Sequence, residues 1–259
     1  QDSDQNELGL LDSAAIEKVT AEAWPAPRSA EELHEALLLL GVMTEEEVVG
    51  TRSTASLEFS RNGDAVERVP TMSTWSAELA KSRRAGRLTG LSRSYWLAAE
   101  RLPLLQSVYP AAQVVPALNP SERAGGQVWE RSAAIRELVR GRLKFSGPVT
   151  ATGLAALLGL PEREIDAALL ALEAEGFVLR GKFHPQVSHL EWCERRLLAR
   201  IHRLTLHRLR AEIQPVSLQD YVRFLLEWQR LTQEQHGQGP EGLSAILEQL
   251  EAFEAPAAA

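Results

Sequence analysis

From Thr150 to Phe183 the chain carries a pattern that few folds accommodate. Thr150-Ala-Thr152 leads into an apolar stretch, Leu154-Ala-Ala-Leu-Leu158, which Gly159-Leu160 interrupts. Pro161-Glu-Arg-Glu164 then makes a favourable first helical turn. Proline has no amide N–H to leave unpaired there, and the two acids face the positive end of the helix dipole. Ile165, Ala168, Leu169 and Leu172 recur at helical spacing and give this segment one apolar stripe. Gly176 stands where a helix commonly closes in the left-handed conformation. Phe177–Phe183, with Gly181 inside it, reads as a wing. The spacing predicts helices over 128–144, 150–158 and 161–176, followed by that wing: a helix-turn-helix with a wing.

The same order is legible upstream. Ser29-Ala-Glu-Glu32 is a capping box opening a helix with Leu33, Ala36, Leu37 and Leu40 on one face, closed by Gly41. Thr44–Val48 reads as another helical start, and Trp75–Ala85 as a helix ending at Gly86. Arg87–Leu97 reads as two short strands around a Gly/Ser turn. A helix over Ala98–Val108 follows, with Pro103 either within it or in the first turn of a later start. Residues 50–74, rich in Ser, Thr, Arg and Gly with a turn signal at Asn62-Gly63, read as a loop or weak hairpin. Ahead of all this, Asp12 or Ser13 caps a short helix to Ala23 that Pro25 and Pro27 terminate.

Downstream, 188–213 reads as a long helix with Leu190, Leu197, Ile201, Leu204 and Leu209 on one face and arginines on the others. Ser217 caps a helix from Leu218 to about Leu231, with Tyr221, Phe224, Leu225 and Trp228 at i, i+3, i+4 and i+7. A polar loop and a last helix, Glu241–Phe253, complete the chain. The expected fold class is therefore mainly α, built of tandem winged-helix (helix-turn-helix plus β-hairpin wing) modules. Residues 1–28 form a helical lead-in, 29–109 a first module, 110–127 a Pro- and Gly-rich linker, 128–187 a second module, and 188–259 a helical third module that reads as cut short. Gln1 in place of Met reads as the start of an excised piece.

The formal charge of −7 argues against nucleic acid until it is located along the chain. Residues 1–60 hold 13 Asp/Glu against Lys18, Arg28 and Arg52. Residues 81–101 hold six Lys/Arg against Glu100, and 180–213 hold eight against Glu191, Glu194 and Glu212. Phosphate binding responds to the local field, so these two stretches are the candidate nucleic-acid contacts. The residues singled out are Arg83, Arg84, Arg87 and Arg93, then Arg180 and Lys182 in the second wing, then Arg195, Arg196, Arg200 and Arg203 on the long helix. For the last four, a solvated face paired with nearby glutamates is an equal reading. Helix 161–176, bearing Glu162, Glu164, Asp166, Glu173 and Glu175, is a poor groove reader and suits a scaffold or partner surface. Trp75, Trp129 and Trp228 sit on apolar helix faces and are expected in cores, whereas Trp96 in the first wing is expected to be more open.

Several classes are excluded or left without residues. No apolar run approaches the roughly 20 residues of a membrane span, so no membrane partner is expected. One cysteine, Cys193, permits no internal disulfide and fits a cytoplasmic location. No phosphate-cradling Gly-x-x-x-x-Gly-Lys-Ser/Thr loop occurs, so ATP hydrolysis is not expected of this stretch. The six histidines lack metal-ligand spacing, and no metal site is expected. A water-activating group for base excision could come from Gln233-Glu-Gln235 or Gln219-Asp220, two short polar pairs with little specificity, so the catalytic residues are left unknown.

Residues 129–131, 138–148, 169–180 and Glu191–Arg203 (EWCERRLLARIHR), with Leu209–Ile213, Pro240–Leu243 and Ala30–Leu37, together resemble the C-terminal extension of the large helicase-related family of superfamily 2 DNA helicases. The resemblance implies tandem winged helices akin to those of certain DNA glycosylases, and DNA as partner. It implies that the parent motor domains, with their ATP and Mg, lie elsewhere on a longer chain. The readings it leaves are a DNA-binding and assembly region of a repair helicase, a base-excision glycosylase region, or a protein scaffold. A homo-oligomer is a further expectation.

Overall fold

A computed structural model describes residues 11–50, 72–118, 128–184, 187, 189–212, 215–229 and 239–249. The region 50–74 lies largely outside the described residues, and so do Gln233–Gln235. The chain divides into two units, 1–207 and 208–259.

The first unit opens with α1 (Ser13–Ala23), whose N-cap Asp12 accepts the Ala14 N–H. In α2 (Ala30–Leu40) the Ser29 hydroxyl accepts the Glu32 N–H at 3.2 Å, and Glu32 accepts the Arg28 N–H in return. Gly41, at φ 82°, closes α2 in a conformation that a side chain would strain. A second reciprocal cap joins β1 (Met43–Thr44) to α3 (Glu45–Gly50): Thr44 accepts the Glu47 N–H while Glu47 accepts the Thr44 N–H at 2.9 Å. Next come α4 (Met72–Lys81), β2 (Ala85–Thr89), β3 (Tyr95–Ala98), a 3-10 turn at Ala99–Arg101, and α5 (Leu102–Val108) with Pro103 in its first turn. This is the winged-helix order.

Helix α4 stops at Lys81, four residues short of the expected end. Arg83 takes the left-handed position at φ 57°, and the Arg83 and Arg84 amides donate back to Ala80 and Leu79. That is a Schellman closure built on an arginine rather than a glycine, so Gly86 is free to sit inside β2. The expected linker at 110–127 also differs. Residues Gln113–Val115 form β4, which pairs antiparallel with β2, and Leu118 is buried. The resulting sheet has the order β1-β3-β2-β4. A three-residue edge strand between prolines has no periodicity long enough to recognise.

The second winged helix is α6 (Arg131–Leu143), α7 (Ala151–Leu158), α8 (Glu162–Ala174) and β5 (Val178–Gly181). Thr150 caps α7, and Gly159 and Gly176 take left-handed conformations after α7 and α8. Its wing is not contained in Phe177–Phe183. Strand β5 pairs with β6 (Glu191–Glu194), and Val149 bridges to Trp192. The expected helix over 188–213 therefore starts late, as α9 (Arg195–Glu212), and a boundary at 187/188 cuts the hairpin. Ladder pairing with β5 and full burial of Glu191–Glu194 override the local helical spacing. The Glu194 carboxylate accepts the Leu197 N–H and so caps the later start. Leu190 and Leu209 are exposed; Leu197, Ile201 and Thr205 form the buried face of α9.

The two winged helices share one core rather than flanking a linker. Leu88, Leu97 and Leu105 of the first pack with Leu138, Leu154 and Leu169 of the second. Tyr95 and Tyr109 stack at 5.9 Å and donate to the last carbonyls of α7, Leu157 at 2.9 Å and Leu158 at 2.6 Å. Burial pushes both phenol pKa values up, so both hydroxyls remain donors. A second cluster (Leu33, Leu37, Met43, Leu79) fills the first winged helix, with Trp75 and also Trp96 packed against it. Trp96 is thus half-buried rather than open. Trp129 packs against the shared core. A third cluster joins Ala15, Ile16 and Val19 of α1 to Cys193, Leu197 and Ile201.

In the second unit, α10 (Leu218–Trp228) and α11 (Gly239–Gln249) are described. Trp228, expected in a core, is 58% exposed and stacks on Phe224. Helical spacing creates an apolar face but does not specify what covers it.

Candidate nucleic-acid interface

The acid-rich start of the chain and the cation-rich segments, far apart in sequence, meet in the fold. Around the first wing, Arg87 on β2 pairs with Glu45 at 2.8 Å and Arg93 in the β2–β3 turn lies 3.9 Å from Glu46. Arg84, just after α4, reaches Glu31 at 3.5 Å and donates to Nδ1 of His34. His34 in turn hydrogen-bonds Glu100 through Nε2 at 3.1 Å, which makes it a buried relay between Arg84 and Glu100. On α9, Arg200 pairs with Glu22 of α1 at 3.1 Å.

Helix α8, in the recognition position of the second winged helix, spends its acids internally. Glu164 holds Arg131 at 2.8 Å, Glu173 holds the wing residue Arg180 at 2.9 Å, and Glu175 binds Arg136 and Arg140. The hydrogen bond from Arg140 lowers the Glu175 pKa despite its exposure. These pairs fasten α8 to α6 and β5. With these carboxylates committed to α6 and β5, α8 presents Arg163 as its one exposed cation, in line with its acidic reading.

Of the ten cations expected to meet nucleic acid, five are thus ion-paired: Arg84, Arg87, Arg93, Arg180 and Arg200. The other five, Arg83, Lys182, Arg195, Arg196 and Arg203, are exposed and have no ion pair among the described residues. Two residues outside that set share their neighbourhood. Lys18 of α1 and His207 of α9 are exposed beside Arg203. Lys18 is masked in the sequence by the strongly acidic stretch around it. Sequence reasoning also passed over Arg142 of α6, which is buried, pairs with Glu47 across the two winged helices, and lies 4.7 Å from the Trp24 ring centroid.

The fold uses other polar candidates structurally. Glu191, buried in β6, accepts the Phe183 and His184 amides and pairs with the His184 ring at 2.6 Å, closing the wing loop. Asp220 accepts the Ser217 hydroxyl and belongs to the cap of α10. Burial raises the Cys193 thiol to about 12, leaving it protonated and unreactive at neutral pH. Among the described residues no group of three or more His, Cys, Asp or Glu side chains could hold a metal ion. No described helix is long and apolar enough to cross a membrane.

Comparison with known proteins matches this architecture in two parts. The family model for DNA glycosylase AlkZ-like proteins covers residues 7–183, which takes in α1, the first winged helix and the second through β5. The model for the winged-helix domain of large helicase-related proteins covers residues 216–259. Over 249 residues the chain is 30% identical to a protein of Mycolicibacterium smegmatis described as Lhr helicase/probable uracil glycosylase. That alignment takes in 95% of this chain and 15% of the relative's length. The chain belongs to the AlkZ-like DNA glycosylase family, as a C-terminal region of the large helicase-related type.

Proposed function

We propose that this chain is the DNA-binding and assembly region of an ATP-dependent DNA-repair helicase. One observation carries the reading: Arg83, Lys182, Arg195, Arg196 and Arg203 are exposed without a carboxylate partner among the described residues. Such cations attract phosphates without reading bases. In this reading ATP and Mg belong to the motor domains of the parent chain, which are partners of this region. The second unit, with Tyr221, Phe224 and Trp228 on an exposed face, supports assembly with those domains or with another copy. Binding to a duplex in this reading falls steeply with salt, with a log–log slope of about −0.9 per phosphate contact. A slope near zero refutes it.

A second reading, base excision, is favoured by the glycosylase-type family match over 7–183 and by the relative's description as a probable uracil glycosylase. Incubating the chain with duplexes containing uracil or alkylated bases, followed by alkaline cleavage at abasic sites, separates the two. Strand breaks above the protein-free control establish excision. Their absence, with binding intact, leaves the accessory role.

A further inference from the structure

On α9, Arg196, Arg200, Arg203 and His207 follow at i, i+4, i+7 and i+11 and share one face. The stripe is about 16 Å long at about 1.5 Å rise per residue. It borders the buried face formed by Leu197, Ile201 and Thr205. Helix α1 packs on that buried face, which brings Lys18 and Glu22 to the edge of the stripe. Between the two helices lies a solvent-open groove of about 340 Å³. Its floor is apolar, made by Val19 and Leu204; its walls are Lys18, Glu22, Arg200, Arg203 and His207. Among the described residues Glu22 is the sole acid lining it, and Glu22 is taken by Arg200. Lys18, Arg203 and Arg196 have no ion pair among the described residues.

We infer that the α1–α9 groove is a binding track for the sugar–phosphate backbone of a DNA strand. Lys18 and Arg203 each meet a phosphate, His207 adds a hydrogen bond, and a deoxyribose rests on Val19 and Leu204. The apolar floor suits a sugar–phosphate chain better than a bare anion, because burying a sugar face there releases apolar surface from water. The groove lies open to solvent, so a continuous strand can pass through it without threading. Arg200 is a positioning residue: its pair with Glu22 holds that acid aside and fixes the guanidinium at the groove edge. This inference rests on the DNA-binding reading above and deepens it. It adds His207 and also Lys18, which no charge pattern along the chain would select.

The test is fluorescence anisotropy with the 1–259 chain and a labelled oligodeoxynucleotide, single-stranded and duplex, between 50 and 200 mM salt. Lys18→Ala/Arg203→Ala should lower the magnitude of the duplex log–log slope by about two. Its deficit against wild type should then shrink about tenfold over that salt range, since each lost contact changes the ratio about threefold. Glu22→Gln, which removes the groove's acid, should bind several-fold tighter at 50 mM salt, a gain that misfolding cannot mimic. If wild type binds with steep salt dependence and both variants match it, the groove is not the track, although the DNA-binding reading stands. If wild type shows no salt-dependent binding, that reading fails and the groove falls with it.

Discussion

Replacing Gly141 by alanine should destabilise the protein, although the same change in an isolated helix would stabilise it. Gly141 lies in the last turn of α6, where alanine is favoured over glycine by about 1 kcal/mol. A Cβ built on Gly141, however, would stand 2.6 Å from the carbonyl oxygen of Leu39 and 3.3 Å from that of Leu40. Both obstacles are backbone at the end of α2, not the tips of flexible side chains. That helix end is also fastened: the Gly41 amide donates to Leu37, and Arg101 donates to the Leu38 carbonyl at 2.8 Å. Relief therefore means separating α2 from α6 across the junction of the two winged helices. Overpacking of this kind costs about 1–3 kcal/mol. After the helix-propensity gain, a net loss of up to about 2 kcal/mol remains, or up to roughly 8 °C in melting temperature for a unit of this size. Thermal melts followed by circular dichroism, with urea titrations to check that the denaturant slope is unchanged, read this directly. Ala156→Gly on the exposed face of α7 calibrates the propensity effect, at about 1 kcal/mol lost. A Gly141→Ala protein that melts at or above the wild-type temperature refutes the close approach of α2 and α6.

Three further outcomes follow from the packing. Arg142→Ala should cost about 3–5 kcal/mol, because it takes the guanidinium away from the half-buried carboxylate of Glu47 at the same junction; Arg142→Ala/Glu47→Ala should recover part of that loss in urea unfolding, and a strictly additive double mutant would show the pair to be uncoupled. Tyr109→Phe leaves the buried Leu158 carbonyl without its donor and should lower stability by about 1–3 kcal/mol, measured the same way; an unchanged midpoint would mean that the carbonyl finds water instead. The Cys193 thiol is held up at about 12 against 9.0 in an unfolded chain, so its contribution is fully present below pH 9 and is lost as pH climbs from there towards 12. Tyr95 and Tyr109, both raised from 10.0, act in the same sense above pH 10. Unfolding midpoints should fall from pH 9 to 11, less steeply in Cys193→Ala, and folded protein should resist iodoacetamide at pH 8; rapid labelling at pH 8 would contradict the burial.

Local signals were read well wherever the physics is local. The caps at Asp12 and Ser29 need only a side-chain oxygen within a few residues of a free amide, and both helices begin where those residues stand. The Gly159 and Gly176 closures and the stripe on α8 are of the same kind. Strand β6 was missed because a four-residue strand owes its state to β5, while Glu191–Arg203 by itself is compatible with continuous helix. Strand β4 was missed for the same reason, as was the end of α4, where Arg83 occupies a position that glycine usually signals.

The candidate interface was legible as residue types but not as availability. Charge runs along the chain pointed to ten cations, and the sequence alone determined that these fall on winged-helix elements and on one amphipathic helix. Which of them face solvent without a partner was decided only in three dimensions. Glu22, Glu45 and Glu46 come from the acidic first 60 residues to neutralise Arg200, Arg87 and Arg93, whereas no acid among the described residues pairs with Arg195, Arg196 or Arg203. Coulomb attraction acts through space within about a Debye length, roughly 8–10 Å, and takes no account of separation along the chain. The shared core has the same origin. Each winged helix announces its own apolar faces, but only the packed structure determines that the faces of the first are completed by those of the second.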